Sequence, residues 1–181
     1  MDYNVFTKPT KTFGSAIEDS SLLRALVIVL ISGLLAAFFF SLSGMGNLAL
    51  GLIVVWVIVQ WFVLSVLLFA FEILFSGQKR QFVRADFKAA ATVAGQLWLW
   101  VLLLEVVLLV FGSTLFSMAP MIGIAVLIVI GAAMLIDLFI GIRVLLDSSN
   151  GRAFLVWLLL LIVYSLILTL AGIIANSMIL L

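Results

Sequence analysis

Arg143-Val-Leu-Leu-Asp147-Ser-Ser-Asn-Gly151-Arg152-Ala153 is a short polar island between two apolar runs, each long enough to cross a bilayer. A charged knot this brief is too small to be a domain and reads as a turn at a membrane surface. Its two arginines also set the topology, because every other basic residue of the chain can be placed on the same side of the membrane.

The composition agrees. With 67% hydrophobic and 9% charged residues, the 181-residue chain lies outside the soluble globular range and inside the range of integral membrane proteins. Its net charge is +1, with no long basic stripe for a nucleic acid. There is no Cys and no His, which removes disulfides, the usual zinc and haem ligands, thiol nucleophiles and the Ser-His and Cys-His catalytic pairs. No catalytic, cofactor-binding or metal-binding residue is therefore assigned, and no cofactor is expected.

Taken outward from the island, the chain reads as an all-α integral membrane protein with five transmembrane helices and a short N-terminal interfacial amphipathic helix. Residues 1–21 form a cytoplasmic segment, in which Pro9 suits a first helical turn and Phe13 and Ile17 share a face away from Lys8, Lys11 and Glu18. That helix is expected to lie in the headgroup plane. Asp19, Ser20 and Ser21 are N-cap candidates for the first span. Residues 22–181 form one five-span domain, with spans at about 22–40, 48–75, 89–111, 121–145 and 153–178. The first is expected to be retained, since it is longer than a signal core and lacks an A-x-A exit. Residues 41–47 and 112–120 read as uncharged turns, with Pro120 opening the fourth span. Val83 and Phe87, one turn apart in the second loop, suggest an interfacial face.

Charge fixes the threading. Lys8, Lys11 and Arg24 precede or open the first span, Lys79, Arg80, Arg84 and Lys88 fill the second loop, and Arg143 and Arg152 flank the fourth. The positive-inside rule then puts the N-terminus and these loops in the cytoplasm and the C-terminus outside, which requires an odd number of spans. Small residues at helix-packing spacing, Gly33 with Ala37, Gly123 with Gly131 and Ala171 with Ala175, are expected to make backbone contacts within the bundle or with a second copy.

Four polar groups lie inside the apolar runs: Gln60, Glu72, Glu105 and Asp137. At 1.5 Å per residue Glu72 is about 36 Å from Leu48 and Asp137 about 24 Å from Met121, so both belong to the inner half, and Glu72 is expected to snorkel to the cytoplasmic surface. Glu105 lies about 25 Å beyond Lys88 with no basic residue at its depth. It is expected to be hydrogen-bonded, with Gln60, Tyr164 and Ser165 as candidate partners; a sharper alternative is a proton or cation relay from Glu105 to Asp137 and Glu72. Trp56, Trp61, Trp98, Trp100 and Trp157 read as packing or interfacial residues, because no residue is placed to hold a pigment.

Several stretches together resemble the YIP1 family. They are Phe6-Thr-Lys-Pro9-Thr-Lys-Thr-Phe13, the basic loop ending in residues 82–91, Gly141-Ile-Arg143 and Asn150-Gly-Arg152-Ala153. The resemblance covers essentially the whole chain and implies five spans with a cytoplasmic N-terminus. With its short N-terminal tract, similar to that of bacterial and archaeal members, it also implies a multi-pass protein of a prokaryotic cell membrane. The association of eukaryotic relatives with Rab-type GTPases is not carried over, since the cytoplasmic surface here is small. The expected function is a non-enzymatic scaffold or adaptor. Its basic cytoplasmic contacts, Lys79, Arg80, Arg84, Lys88, Arg143 and Arg152, would meet anionic lipid or a protein partner. A small ion, proton or solute transporter using the intramembrane carboxylates, and an accessory subunit of a larger membrane complex, are the alternatives. Membrane lipids, a protein partner or a second copy are the partners these readings imply, and no nucleic acid.

Overall fold

The computed structural model describes residues 9–18, 20–42, 47–75, 86–118 and 120–179. They form six helices: α1 (Pro9–Glu18), α2 (Leu22–Ser41), α3 (Asn47–Phe75), α4 (Phe87–Met118), α5 (Pro120–Leu146) and α6 (Asn150–Ile179). The last five are each long and apolar enough to cross a membrane. The protein is a helical, multi-pass membrane protein, as the hydropathy of the chain predicts.

Helix boundaries follow local chemistry where it is strong. The Ser21 side chain accepts the Arg24 backbone N–H at 3.3 Å, which is the N-cap expected for α2. Pro120 opens α5, where its missing N–H costs no hydrogen bond. The polar island closes to three residues. Ser148 N–H donates to Arg143 O and Asp147 N–H to Val144 O, a Schellman pair that puts Asp147 at a φ of 46°. The Ser149 carbonyl already accepts from Ala153 N–H, so α6 begins at Asn150 and not at 153.

One expected turn is absent. Residues 112–118 continue α4 instead of forming a loop, despite Gly112 and Ser113.

Helix directions can be read from paired residues. Ser21 pairs with Thr92, Ala25 with Gly95 and Ser32 with Glu105, in ascending order on both helices, so α2 and α4 run parallel. The bundle is built around α4, which packs on α1, α2, α3 and α5, whereas α6 rests on α5 and α3. Residues 89–98 of α4 are buried on every face. Six of these ten are Ala, Gly or Thr, and small side chains let neighbouring backbones close in. At Gly95 a Cβ would lie 2.6 Å from Ala25 Cβ and 2.8 Å from Ala25 Cα, so only glycine permits this approach. Of the small residues singled out in the sequence, Gly33 meets Val54 across α2 and α3 and Ala37 is buried on the same helix, while Gly131 faces open space.

Helix α1 does not place its apolar face in lipid. Phe13 is 0% exposed and its ring sits against Val93 and Gly141, between α4 and α5, with Lys11 and Glu18 outward. The face was legible from the sequence, but its receptor, made by α4 and α5 together, was not; the missing side chain of Gly141 admits Val93, whose Cγ1 would lie 2.9 Å from a Cβ there. Phe87, partly buried, stands edge-on to Phe62 and Phe69 of α3. Val83 lies outside the described residues.

Gly95→Ala should lower the thermal midpoint in detergent by the equivalent of about 1–3 kcal/mol through overpacking. Gly131→Ala, whose new Cβ meets nothing within 4 Å, should be neutral or stabilising by up to about 1 kcal/mol from helix propensity. Equal effects of the two would contradict the α2–α4 contact. Phe13→Ala should release α1, since truncating a buried Phe costs about 3–5 kcal/mol and ten residues do not hold a helix alone. Hydrogen exchange over 9–18 should then speed up on the order of 100-fold or more, while α4 stays protected.

Candidate functional site

The intramembrane polar groups form separate helix-to-helix bonds. Ser32, fully buried on α2, donates to the Glu105 carboxylate of α4 at 2.9 Å to one oxygen and 3.1 Å to the other. Ser32 is the eleventh of the 20 residues of α2, so Glu105 stands near the middle of that span. A carboxylate there is costly unless bonded, and Ser32 supplies the bond.

None of the three partners expected for Glu105 is the one used. Gln60 adjoins Trp61, whose indole N–H donates to the Ala91 carbonyl at 3.1 Å, and Ala91 is fourteen residues, or about 21 Å, from Glu105 along α4. Tyr164 and Ser165 belong to α6, which packs on α5 and α3 and not on α4. Sequence reasoning missed Ser32 because a lone serine in an apolar run gives no signal of the helix it will face.

Asp137 of α5 is buried and accepts the Trp100 indole N–H at 2.7 Å on Oδ2. Trp100 and Glu105 are five residues apart on α4, hence about 140° apart around its axis. The two carboxyl groups thus engage different sides of α4, Glu105 toward α2 and Asp137 toward α5. Glu72 is buried at 7% exposure near the end of α3 and does not extend to the surface as snorkelling would require. A relay joining Glu105, Asp137 and Glu72 is not assembled by this arrangement.

The remaining polar contacts serve packing. Thr92 of α4 accepts from Ser21 N–H at the start of α2 at 3.2 Å and donates to the Lys88 carbonyl of its own helix at 2.7 Å. Trp157 donates to the Leu135 carbonyl at 3.0 Å, joining α6 to α5. Trp61 and Trp98 are buried in the core, in keeping with the packing role expected of them.

The second candidate surface is the end of the bundle where α2, α4 and α6 begin and α3 and α5 finish. Lys11, Arg24, Lys88, Arg143 and Arg152 are exposed there, with Glu18, Asp86 and Asp147 among them. Lys79, Arg80 and Arg84 lie outside the described residues. Among the described residues no Lys or Arg stands at the opposite end.

No family model matches the chain, and no curated protein or solved structure matches it either. The resemblance to the YIP1 family therefore rests on the quoted stretches alone.

Ser32→Ala should cost about 1–2 kcal/mol, since it removes an interhelical bond and leaves Glu105 without its hydroxyl donor. Glu105→Gln, which can still accept from Ser32, should cost less. The thermal midpoints of the two variants in the same detergent check this order, and its reversal would mean that the carboxylate itself is needed.

Proposed function

We propose that the protein is a non-enzymatic membrane scaffold or adaptor of the Yip1-like type, whose basic end rests on anionic headgroups or on an acidic partner surface. The gathering of exposed Lys11, Arg24, Lys88, Arg143 and Arg152 at one end of five antiparallel-threaded spans supports this reading. By the positive-inside rule this end is cytoplasmic, and in a prokaryote the membrane is the cell membrane. Each such cation contributes about 1 kcal/mol near an anionic leaflet, so the cluster acts through its sum. The separation of Glu105 from Asp137 around α4 argues against the transporter alternative. The accessory-subunit alternative places the same basic end against a larger complex.

Reversing Lys88, Arg143 and Arg152 to Glu tests the proposal. The wild-type protein, reconstituted from a mixture of anionic and zwitterionic phospholipids and then extracted gently, should retain anionic lipid in excess over the mixture. The triple variant should lose that excess severalfold while keeping the same helix content. Equal retention by both would sink the lipid-contact reading and leave the cations as topology signals only.

A further inference from the structure

Helix α1 is weakly built. Thr10, Thr12, Gly14 and Ser15 are among its ten residues, and each is a poor helix former. Gly14 does not serve a close approach, because a Cβ added there would meet nothing within 4 Å. Ten residues of this kind do not hold a helix in solution, so α1 is folded by its seat on α4 and α5. Phe13 anchors it there. It is the largest fully buried side chain of the described residues, and its ring lies 3.5 Å from where a Gly141 Cβ would stand, beside Val93. Ile17, four residues on, packs partly buried against the same core. Ser21 caps α2 and donates its N–H to Thr92, which fixes the start of α2 by contacts that do not involve α1.

A weak helix whose aromatic anchor fills a seat between two longer helices is an exchangeable occupant. With Phe13 withdrawn, the surface at Val93 and Gly141 is apolar and shaped to take a ring carried on a helix. The same end of the bundle is cationic: Arg24 stands in the first turn of α2, Lys88 in the first turn of α4 and Arg143 in the last turn of α5. To these α1 adds the exposed Lys11, so it fits the seat in shape while adding like charge to its surroundings. We propose that the Phe13 seat is the docking site for an amphipathic helix of a protein partner, one with an aromatic residue, an aliphatic residue four positions later and acidic flanks, and that α1 is the strap the partner displaces. The proposal rests on the adaptor reading and makes an acidic protein, not a lipid headgroup, what the basic end meets. Because α1 is joined to α2, it competes at high effective concentration, and its own stability sets how readily the seat opens.

The probe is a fluorescent peptide with the sequence of residues 8–21 carrying Lys11→Glu, titrated by anisotropy against the full chain in nanodiscs of zwitterionic phospholipid, with empty nanodiscs as background. In the protein, Phe13→Ala frees the seat and should tighten peptide binding on the order of tenfold or more. Gly14→Ala strengthens the strap through helix propensity alone and should weaken binding about threefold to fivefold. It fills open space, so it carries the test by itself should Phe13→Ala lose helix content. A peptide that also lacks the ring, through its own Phe13→Ala, should not bind above background. Affinity that neither protein variant moves, or equal binding by the ringless peptide, would overturn the strap and its seat. A peptide retaining Lys11 that binds as tightly as the Lys11→Glu form would overturn the acidic partner. Retention of anionic lipid is measured without peptide, so failure here and failure of the lipid-contact reading are separate results.

Discussion

The approach of Ala25 to Gly95 is the contact on which the rest of the bundle depends. Lipid tails are as apolar as leucine, so there is little hydrophobic gain in bringing membrane helices together, and close packing has to supply the attraction. Close packing between backbones needs the side chains out of the way. The first turns of α4 meet this need with Ala89, Ala90, Ala91, Ala94 and Gly95, and that is why this segment can be surrounded by four other helices at once. With α2 fixed parallel to α4 by this contact, Ser32 is carried to the level of Glu105 and Ser21 to the level of Thr92. The polar bonds are consequences of the register that the small residues set.

A division along the membrane normal results. The half of the bundle nearest the basic end holds Phe13, Trp61, Leu68, Leu97, Leu145 and Val156 in one core, together with the Trp61–Ala91 and Trp100–Asp137 bonds. Toward the other end the helices turn large side chains outward, among them Leu34, Phe38, Leu52, Val110, Met121 and Ile122. Among the described residues helix α6 packs on α5 and α3, and the three-residue turn before it places it beside α5. A β-branched residue in place of Asp147 would be strained there, since a φ of 46° is reached routinely only by Gly, Asn and Asp.

What could be read from the sequence was whatever lipid dictates to each segment separately. Five spans, the Ser21 cap, the Pro120 start and the apolar face of α1 are local consequences of length, hydrogen bonding and periodicity. What could not be read was partner choice. A helix that is apolar all round gives no stripe to say which side faces a neighbour, so nothing in the run around Glu105 distinguishes Ser32 from Gln60 or Tyr164. The same gap hid the α4–α5 receptor for Phe13. The overlong turn assigned to 112–120 had a different cause: Gly112 and Ser113 are weak helix formers, and their propensity alone does not end a helix as long as α4.

Where activity can reside depends on which polar groups are already engaged. Ser32 with Glu105, Trp100 with Asp137, Trp61 with Ala91, and Thr92 with Ser21 are all bonds between chain segments that hold helices in place. Glu105 and Asp137 face opposite neighbours of α4, and the wall between them is α4 itself, whose backbone carbonyls and N–H groups are bonded along its own axis. An ion moving from one to the other would have to pass through that helix or around its apolar flanks. The interior is therefore organised to hold a shape, and among the described residues the cations presented outward are the ones at the basic end. That is the physical reason the proposed adaptor reading places its contact surface at the basic end and not within the span.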